Sequence, residues 1–156
     1  MQLVKKSQWA LAAALVAAAI VLGAPAHVTA AQQPAGQQAA GELKVTIDYK
    51  GAGTVDKTHQ VFVWVFDTPD ISASSTPIAS DVVTANGASV SFSGLPTTVY
   101  LAAAFNEKGD YDGTQGPPPS GTPITIYGSP GAATGVTTGG PEAVVTVSFD
   151  DSVRMP

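Results

Sequence analysis

Apolar residues recur at every second position in several short segments, which are separated by clusters of glycine, proline, asparagine and aspartate. From Leu43 to Tyr49 they alternate with Lys, Thr and Asp, so one face of a strand would be buried and the other solvated. Val61 to Phe66 is apolar throughout, which indicates a strand covered on both faces. About seven such runs occur without any helical pattern. The sequence therefore predicts an all-β sandwich of about seven antiparallel strands.

The run from Val99 to Phe105 has one face of small residues. Its large apolar side chains fall on one face, whereas Tyr100, Ala102 and Ala104 fall on the other. The small alanines indicate that a bulky side chain such as Trp64 packs closely against them. Trp64 lies inside an apolar run, so we expect it to be buried.

Asn86-Gly87 is the dipeptide that favours the tight turn of a two-stranded hairpin. It lies between two strand-like runs. A two-residue turn there would set Val83 opposite Val90 and Thr84 opposite Ser89. We therefore expect an antiparallel hairpin at this point.

The first thirty residues have the order of a secretory signal peptide. Two lysines precede an apolar run from Trp9 to Leu22, and the small residues of Val28-Thr29-Ala30 follow. We expect a signal-peptide helix within residues 1–30, cleavage before Ala31 with Ala24-Pro25-Ala26 as the alternative site, and a secreted or periplasmic protein. The apolar run is shorter than the roughly 20 residues of a membrane span, and the chain has no cysteine. We therefore expect no disulfide and no stable membrane anchor after cleavage.

The remaining chain divides by composition. Residues 31–41 are rich in Gln, Ala, Gly and Pro without periodicity, which is typical of a flexible leader. We assign the β-sandwich to residues 42–151 and a short tail to residues 152–156. Loss of the signal peptide changes the net charge from −5 to −7, because two of the seven Lys/Arg leave and all twelve Asp/Glu remain. Such a surface repels the phosphate groups of nucleic acid, so we exclude nucleic acid as a partner. We expect a monomer whose partner is an unknown protein or glycan.

An acidic turn is the chemically richest segment. Asp110 and Asp112 are two residues apart beside glycines, with Glu107 and Asn106 just before them. Oxygen ligands of this kind can converge on a hard cation such as Ca²⁺. An EF-hand loop does not fit, because Lys108 stands two residues before Asp110, where that loop has an acidic ligand. A cation site and an ordinary solvated turn are the two alternatives.

Motifs across the domain resemble a known family. Gly94-Leu95-Pro96, then Tyr100, then the segment 104–110, together with Val63-Trp64-Val65-Phe66-Asp67, are similar to motifs of bacterial transthyretin-like (prealbumin-like) sandwich domains. These include carboxypeptidase regulatory-like domains and a related group of uncharacterised exported proteins. Thr98 departs from the pattern, which has glycine there. The resemblance implies a sandwich of about seven strands that is usually non-catalytic and serves as a folding, adhesion or glycan-associated module.

Carbohydrate binding is one alternative function. Aromatic rings stack on sugar faces, and Tyr111 and Tyr127 flank the long connection that contains the acidic turn. Tyrosines in such positions also commonly pack over a sheet edge. We retain both interpretations of these two residues.

A small hydrolase is the other alternative. His59 is the single histidine after the signal peptide, and no Gly-x-Ser-x-Gly nucleophile motif is present. A pair of loop carboxylates could still act as general acid and base. The candidates are Asp67, Asp70, Asp110 and Asp112. Because nothing marks two of them as partners, we expect a non-enzymatic binding or accessory module of unknown ligand, with cation support as an option.

Overall fold

The computed structural model describes residues 40–114, 116–129 and 132–156. The expected signal peptide and nearly all of the expected leader lie outside these residues. The strands in chain order are β1 (Gly41–Tyr49), β2 (Val61–Phe66), β3 (Ala79–Val83), β4 (Ser89–Leu95), β5 (Thr98–Phe105), β6 (Ile124–Ile126), β7 (Gly128–Ser129), β8 (Ala132–Ala133), β9 (Val136–Thr137) and β10 (Ala143–Phe149).

Two main sheets build the domain. A three-stranded sheet has the order β10-β1-β4, and a five-stranded sheet has the order β3-β2-β5-β6, with β9 also paired to β5. β7 and β8 form a separate two-stranded ladder. This confirms the all-β, two-sheet, sandwich-like architecture. The seven expected runs appear as β1 to β6 and β10, and the three two-residue strands are additional.

The expectation of a wholly antiparallel sandwich is wrong at one pair. β10 runs parallel to β1, in register from Leu43 opposite Ala143 to Tyr49 opposite Phe149. The chain reaches β10 from the other sheet rather than through a tight turn, and only a tight turn forces an antiparallel neighbour. The remaining pairs of the two main sheets are antiparallel.

The core lies between the two sheets and follows the alternation of the sequence. Leu43, Val45 and Ile47 of β1 are fully buried, and the residues between them are more exposed. Burial of such apolar side chains is the main stabilising contribution to the fold, at about 25 cal/mol per Å² of apolar surface. Further fully buried core side chains come from β2 and β5 and include Val61, Val63, Val65, Val99, Leu101 and Phe105.

The Asn86-Gly87 turn forms, but the hairpin does not. The Ala88 N–H donates to the Ala85 carbonyl at 3.2 Å, and Gly87 has a φ of 78°, as a tight turn requires. The two flanking strands belong to different sheets, since Val83 pairs with Val61 of β2 and β4 pairs with β1. The predicted pairing of Val83 with Val90 is therefore wrong: the turn is a corner between sheets.

Residues 153–155 pair with the segment before β6. The Ile124 N–H donates to the Val153 carbonyl at 3.0 Å, and the Met155 N–H donates to the Thr122 carbonyl at 2.9 Å. Gly121 N–H donates to the Met155 carbonyl, also at 2.9 Å. The residues assigned to a tail thus extend the five-stranded sheet beyond β6.

Candidate functional site

The outer face of the five-stranded sheet is apolar. On β2, Phe62, Trp64 and Phe66 point away from the core, because residues 61, 63 and 65 occupy it. Trp64 lies opposite Ala102 of β5, and Phe62 lies opposite Ala104. The expected close approach of Trp64 to the small face of β5 is therefore confirmed.

A groove of about 400 Å³ lies on this face. Trp64, Ala102 and Ile126 come from three neighbouring strands and form its floor. The connection from β2 to β3 lines one side, and the connection from β5 to β6 lines the other. Further lining residues are Phe66, Ile71, Ser72, Ser75, Thr76, Pro77, Thr114, Pro117, Pro118 and Met155.

The lining of this groove is uncharged. None of the described residues that line it is Asp, Glu, Lys, Arg or His. Its polar side chains are serine and threonine hydroxyls such as Ser75, Thr76 and Thr114. A mainly apolar cavity with a few hydrogen-bonding groups is the usual form of a small-molecule site.

Trp64 is only partly buried, contrary to the expectation of full burial. Its indole stacks on the Phe62 ring, with 5.8 Å between ring centroids and 14° between planes. The strand pattern correctly shows that β2 is apolar on both faces. It does not show that the second face is covered only in part. A groove arises here because β5 presents alanines, which leave space beside the indole.

Asn106 organises the connection that borders the groove. Its Nδ2 donates to the Tyr111 carbonyl at 2.8 Å, and the Tyr111 N–H donates to its Oδ1 at 3.4 Å. Asn106 is 5 % exposed, so water does not readily replace these bonds. The side chain thus closes the six-residue loop 106–111, and it has a structural partner rather than a free ligating oxygen.

Tyr111 packs over the sheet rather than standing free. Its ring meets Phe62 edge-on at 5.0 Å between centroids, and its hydroxyl donates to the Gly116 carbonyl at 2.5 Å. Burial, and secondarily the Asp112 carboxylate, raise the pKa of this hydroxyl. Tyr127 is partly buried against the core, and its N–H donates to the Leu101 carbonyl. Neither tyrosine lines the groove.

The four candidate cation ligands have different surroundings. Glu107 forms an ion pair with Arg154 at 2.7 Å, whereas Asp110 is exposed. Asp112 Oδ1 accepts hydrogen bonds from the N–H and the hydroxyl of Thr114, at 2.9 and 2.8 Å. Three of the four side chains, those of Asn106, Glu107 and Asp112, are therefore engaged in contacts within the protein.

No three acidic or histidine side chains of residues 40–114, 116–129 and 132–156 are grouped so that they could hold a metal ion. Calcium binding at Asn106, Glu107, Asp110 and Asp112 stays a prediction. Thermal melting in calcium and in chelator tests it, since a ligand at a hundred times its Kd adds about 2.7 kcal/mol.

A second polar cluster ties residues 150–154 to the sandwich. The Tyr49 hydroxyl and the Ala52 N–H both donate to the Asp151 carboxylate, the latter at 2.9 Å. Arg154 also donates to the Gly121 carbonyl at 2.7 Å. Burial and the hydrogen bond to Asp151 raise the pKa of Tyr49, and the Ala52 N–H lowers the pKa of Asp151.

His59 belongs to an exposed turn. Asp56 Oδ1 accepts the N–H groups of Thr58 and His59, at 2.8 and 2.7 Å, and lies 3.0 Å from the His59 ring nitrogen Nδ1. These bonds, the one to the His59 N–H first, lower the pKa of Asp56. The geometry is that of a turn closed by an aspartate.

Within the part of the chain that the structure describes, no helix is long and apolar enough to cross a membrane. No family model matches the chain, and no curated protein and no solved structure matches it either.

Proposed function

We propose that the domain is a non-enzymatic binding module and that it takes an uncharged, largely apolar small molecule in the groove over Trp64. The observation that carries the proposal is the partly exposed indole on the floor of this groove. A tryptophan that is not fully covered offers a large, polarisable surface on which a ligand can stack.

Size and charge define the class of ligand. The volume of about 400 Å³ falls in the range of small-molecule sites. A charged ligand would lose its hydration without gaining an ionic partner from the described lining. Ser75, Thr76 and Thr114 offer hydroxyls to a ligand that carries one or two polar groups. An uncharged ring system with a hydroxyl or carbonyl substituent meets these conditions.

The two alternatives receive less support from this groove. A sugar site usually combines an aromatic ring with side-chain carboxylates or amides. The described lining has the aromatic ring of Trp64, but it has no side-chain carboxylate and no side-chain amide. A hydrolase needs a general acid or base, and the described lining has no group that titrates near neutral pH. The transthyretin-like relationship, the export of the protein and its accessory role belong to the same proposal and rest on the sequence.

Titration with an uncharged fluorescent probe, N-phenyl-naphthylamine, tests the groove. The chain has a second tryptophan, Trp9, so the titration uses the variant Trp9→Phe, in which all tryptophan emission comes from Trp64 and reports on this site. We expect quenching of Trp64 and a rise in probe emission on binding. In Ala102→Leu, the larger side chain occupies the space beside the indole, and we expect affinity for the probe to fall about tenfold or more.

Ala85→Leu is the matched control, because it makes the same chemical change at an exposed turn position outside the groove. The control should bind the probe like the parent protein. Equal loss in both variants, or no loss in Ala102→Leu while it remains folded by circular dichroism, would refute the groove as the binding site.

A further inference from the structure

The two sheets have four edges, which are formed by β10, by β4, by β3, and by β6 together with the two-residue β9, since both of these pair with β5. An edge strand exposes main-chain N–H and C=O groups that can pair with another chain, and proteins usually block such edges with charges, bulges or covering segments.

Three of the edges are blocked. β3 has Asp81 at a position opposite Val63, so a charge stands on the core-facing side of an edge strand and remains exposed. The start of β6 is covered by residues 153–155. β4 has one extra residue relative to β1 before Leu95, where Gly94 takes a φ of 74°. Such a bulge bends the strand and interrupts the row of pairing groups.

The β10 edge has none of these devices. Its seven residues pair with β1 in one continuous register, and no described strand lies on its other side. The strand contains no charged residue, no proline and no glycine. Val144 near its start is 65 % exposed. Among the described strands, β10 is therefore the edge that another chain could extend.

The surroundings of β10 indicate what would pair with it. Glu142 and Asp150 flank the strand, and both are exposed. A hollow of about 250 Å³ lies beside its second half and includes Ile124, Phe149 and Val153. Lys50 also lines this hollow, but its ammonium group forms an ion pair with Asp48 at 3.2 Å, which leaves the Asp150 carboxylate to a partner. A strand added here would meet acidic groups at both ends, an uncharged centre, and a space for one side chain.

We propose that the β10 edge binds an extended segment of a partner protein, with an uncharged, β-branched centre and a basic residue at each end. The partner's main chain would continue the β10-β1-β4 sheet, and its terminal lysines or arginines would lie near Glu142 and Asp150. A second copy of this chain fits less well. Antiparallel pairing of two β10 strands about Thr146 sets Glu142 of each copy against Asp150 of the other, which places like charges together.

Two peptides of equal length test this proposal with the purified protein. Both have a centre of alternating valine and threonine; one is flanked by lysines and the other by glutamates. We expect the lysine peptide to bind about tenfold more tightly by fluorescence anisotropy, because two exposed ion pairs form only in that complex. Hydrogen–deuterium exchange should show new protection confined to residues 143–149.

The variant Glu142→Lys with Asp150→Lys should reverse the preference between the peptides. Asp67→Lys with Asp70→Lys is the matched control, because it makes the same change of net charge at exposed positions after β2. The control should still prefer the lysine peptide.

Three results would overturn the proposal. The first is equal binding of both peptides, and the second is protection of β4 or β3 in place of β10. The third is a concentration-dependent dimer, seen by sedimentation, whose protected amides lie in β10, because it would identify a second copy as the occupant.

Discussion

Asn106 and Asn86 each use one side-chain amide to hold both main-chain polar groups of a tyrosine. Asn106 bonds the carbonyl and the N–H of Tyr111. Asn86 accepts from the Tyr49 N–H and donates to the Tyr49 carbonyl, both at 2.8 Å. The two asparagines make the same hydrogen bonds but differ in burial, since Asn106 is buried and Asn86 lies in an exposed turn.

This difference in burial predicts unequal effects of truncation. Asn106→Ala leaves buried groups of Tyr111 without partners and should lower the free energy of unfolding by about 2–3 kcal/mol. Asn86→Ala should cost about 1 kcal/mol, because water can reach the freed groups. Urea unfolding of the two variants measures both values. Equal losses would show that the burial of Asn106 does not contribute to its effect.

The raised pKa of the Tyr49 hydroxyl predicts that the protein loses stability at alkaline pH. Its pKa in the folded protein is raised above the ordinary value of 10.0, by burial first and by Asp151 second. The folded state then holds the phenol proton more tightly than the unfolded state. The contribution of Tyr49 is therefore complete below pH 10 and decreases as the pH rises toward the folded pKa.

Comparison with Tyr49→Phe isolates this effect. The variant has no proton to lose, so its free energy of unfolding should decrease less between pH 9 and pH 11 than that of the parent. Asp151→Asn should also reduce the decrease, because it removes a carboxylate that opposes ionisation of Tyr49. If the free energy of unfolding decreased equally with pH in all three proteins, ionisation of Tyr49 would not be the cause of the decrease.

At the scale of the elements, the outer face of β5 shows why small residues are needed there. Ala104 is 1 % exposed and lies between Phe62 of β2 and Ile124 of β6. Ala102 lies one step along the same face but borders the groove. The two alanines therefore differ in the space available for a larger side chain.

Substitution by leucine should distinguish these positions. Ala104→Leu overfills a closed site and should lower the free energy of unfolding by about 1–3 kcal/mol. Ala102→Leu should cost less, since its added atoms can enter the groove. Thermal unfolding of the two variants compares them directly. A larger loss for Ala102→Leu would mean that no usable space exists beside Trp64.

The sequence predicts the local properties of the elements better than their pairing. The alternation of β1 and the double-sided pattern of β2 depend on residues within one strand, and both are confirmed. The turn at Asn86-Gly87 is also local and forms. The strand that pairs with β3 depends on which of the two sheets buries Val83. The alternation of apolar and polar residues within one strand does not specify this sheet. The parallel placement of β10 depends on the path of the whole chain in the same way.

At the scale of the molecule, the groove combines segments that are far apart in sequence. Trp64, Thr114 and Met155 line one cavity although they lie in three different regions of the chain. The sequence alone singles out Tyr111 and Tyr127, because each flanks a long connection. It does not indicate Met155, which reaches the groove only because residues 153–155 pair with residues 121–124. The candidate site is therefore a property of the tertiary fold.

Removal of residues 153–156 should affect the sheet edge and the groove together. The deletion removes three main-chain hydrogen bonds to residues 121–124, each of which contributes about 1 kcal/mol, and it removes the Met155 wall. We expect a loss of about 1–3 kcal/mol in unfolding free energy and weaker binding of the uncharged probe.

The same deletion exposes the edge before β6, so light scattering should show more association. Arg154→Ala keeps the main-chain bonds but loses the contacts to Glu107 and to the Gly121 carbonyl. It should therefore retain the blocked edge and change probe binding only slightly, because exposed ion pairs contribute little. If the deletion left both scattering and probe affinity unchanged, residues 153–156 would not be the segment that closes this edge and completes the groove.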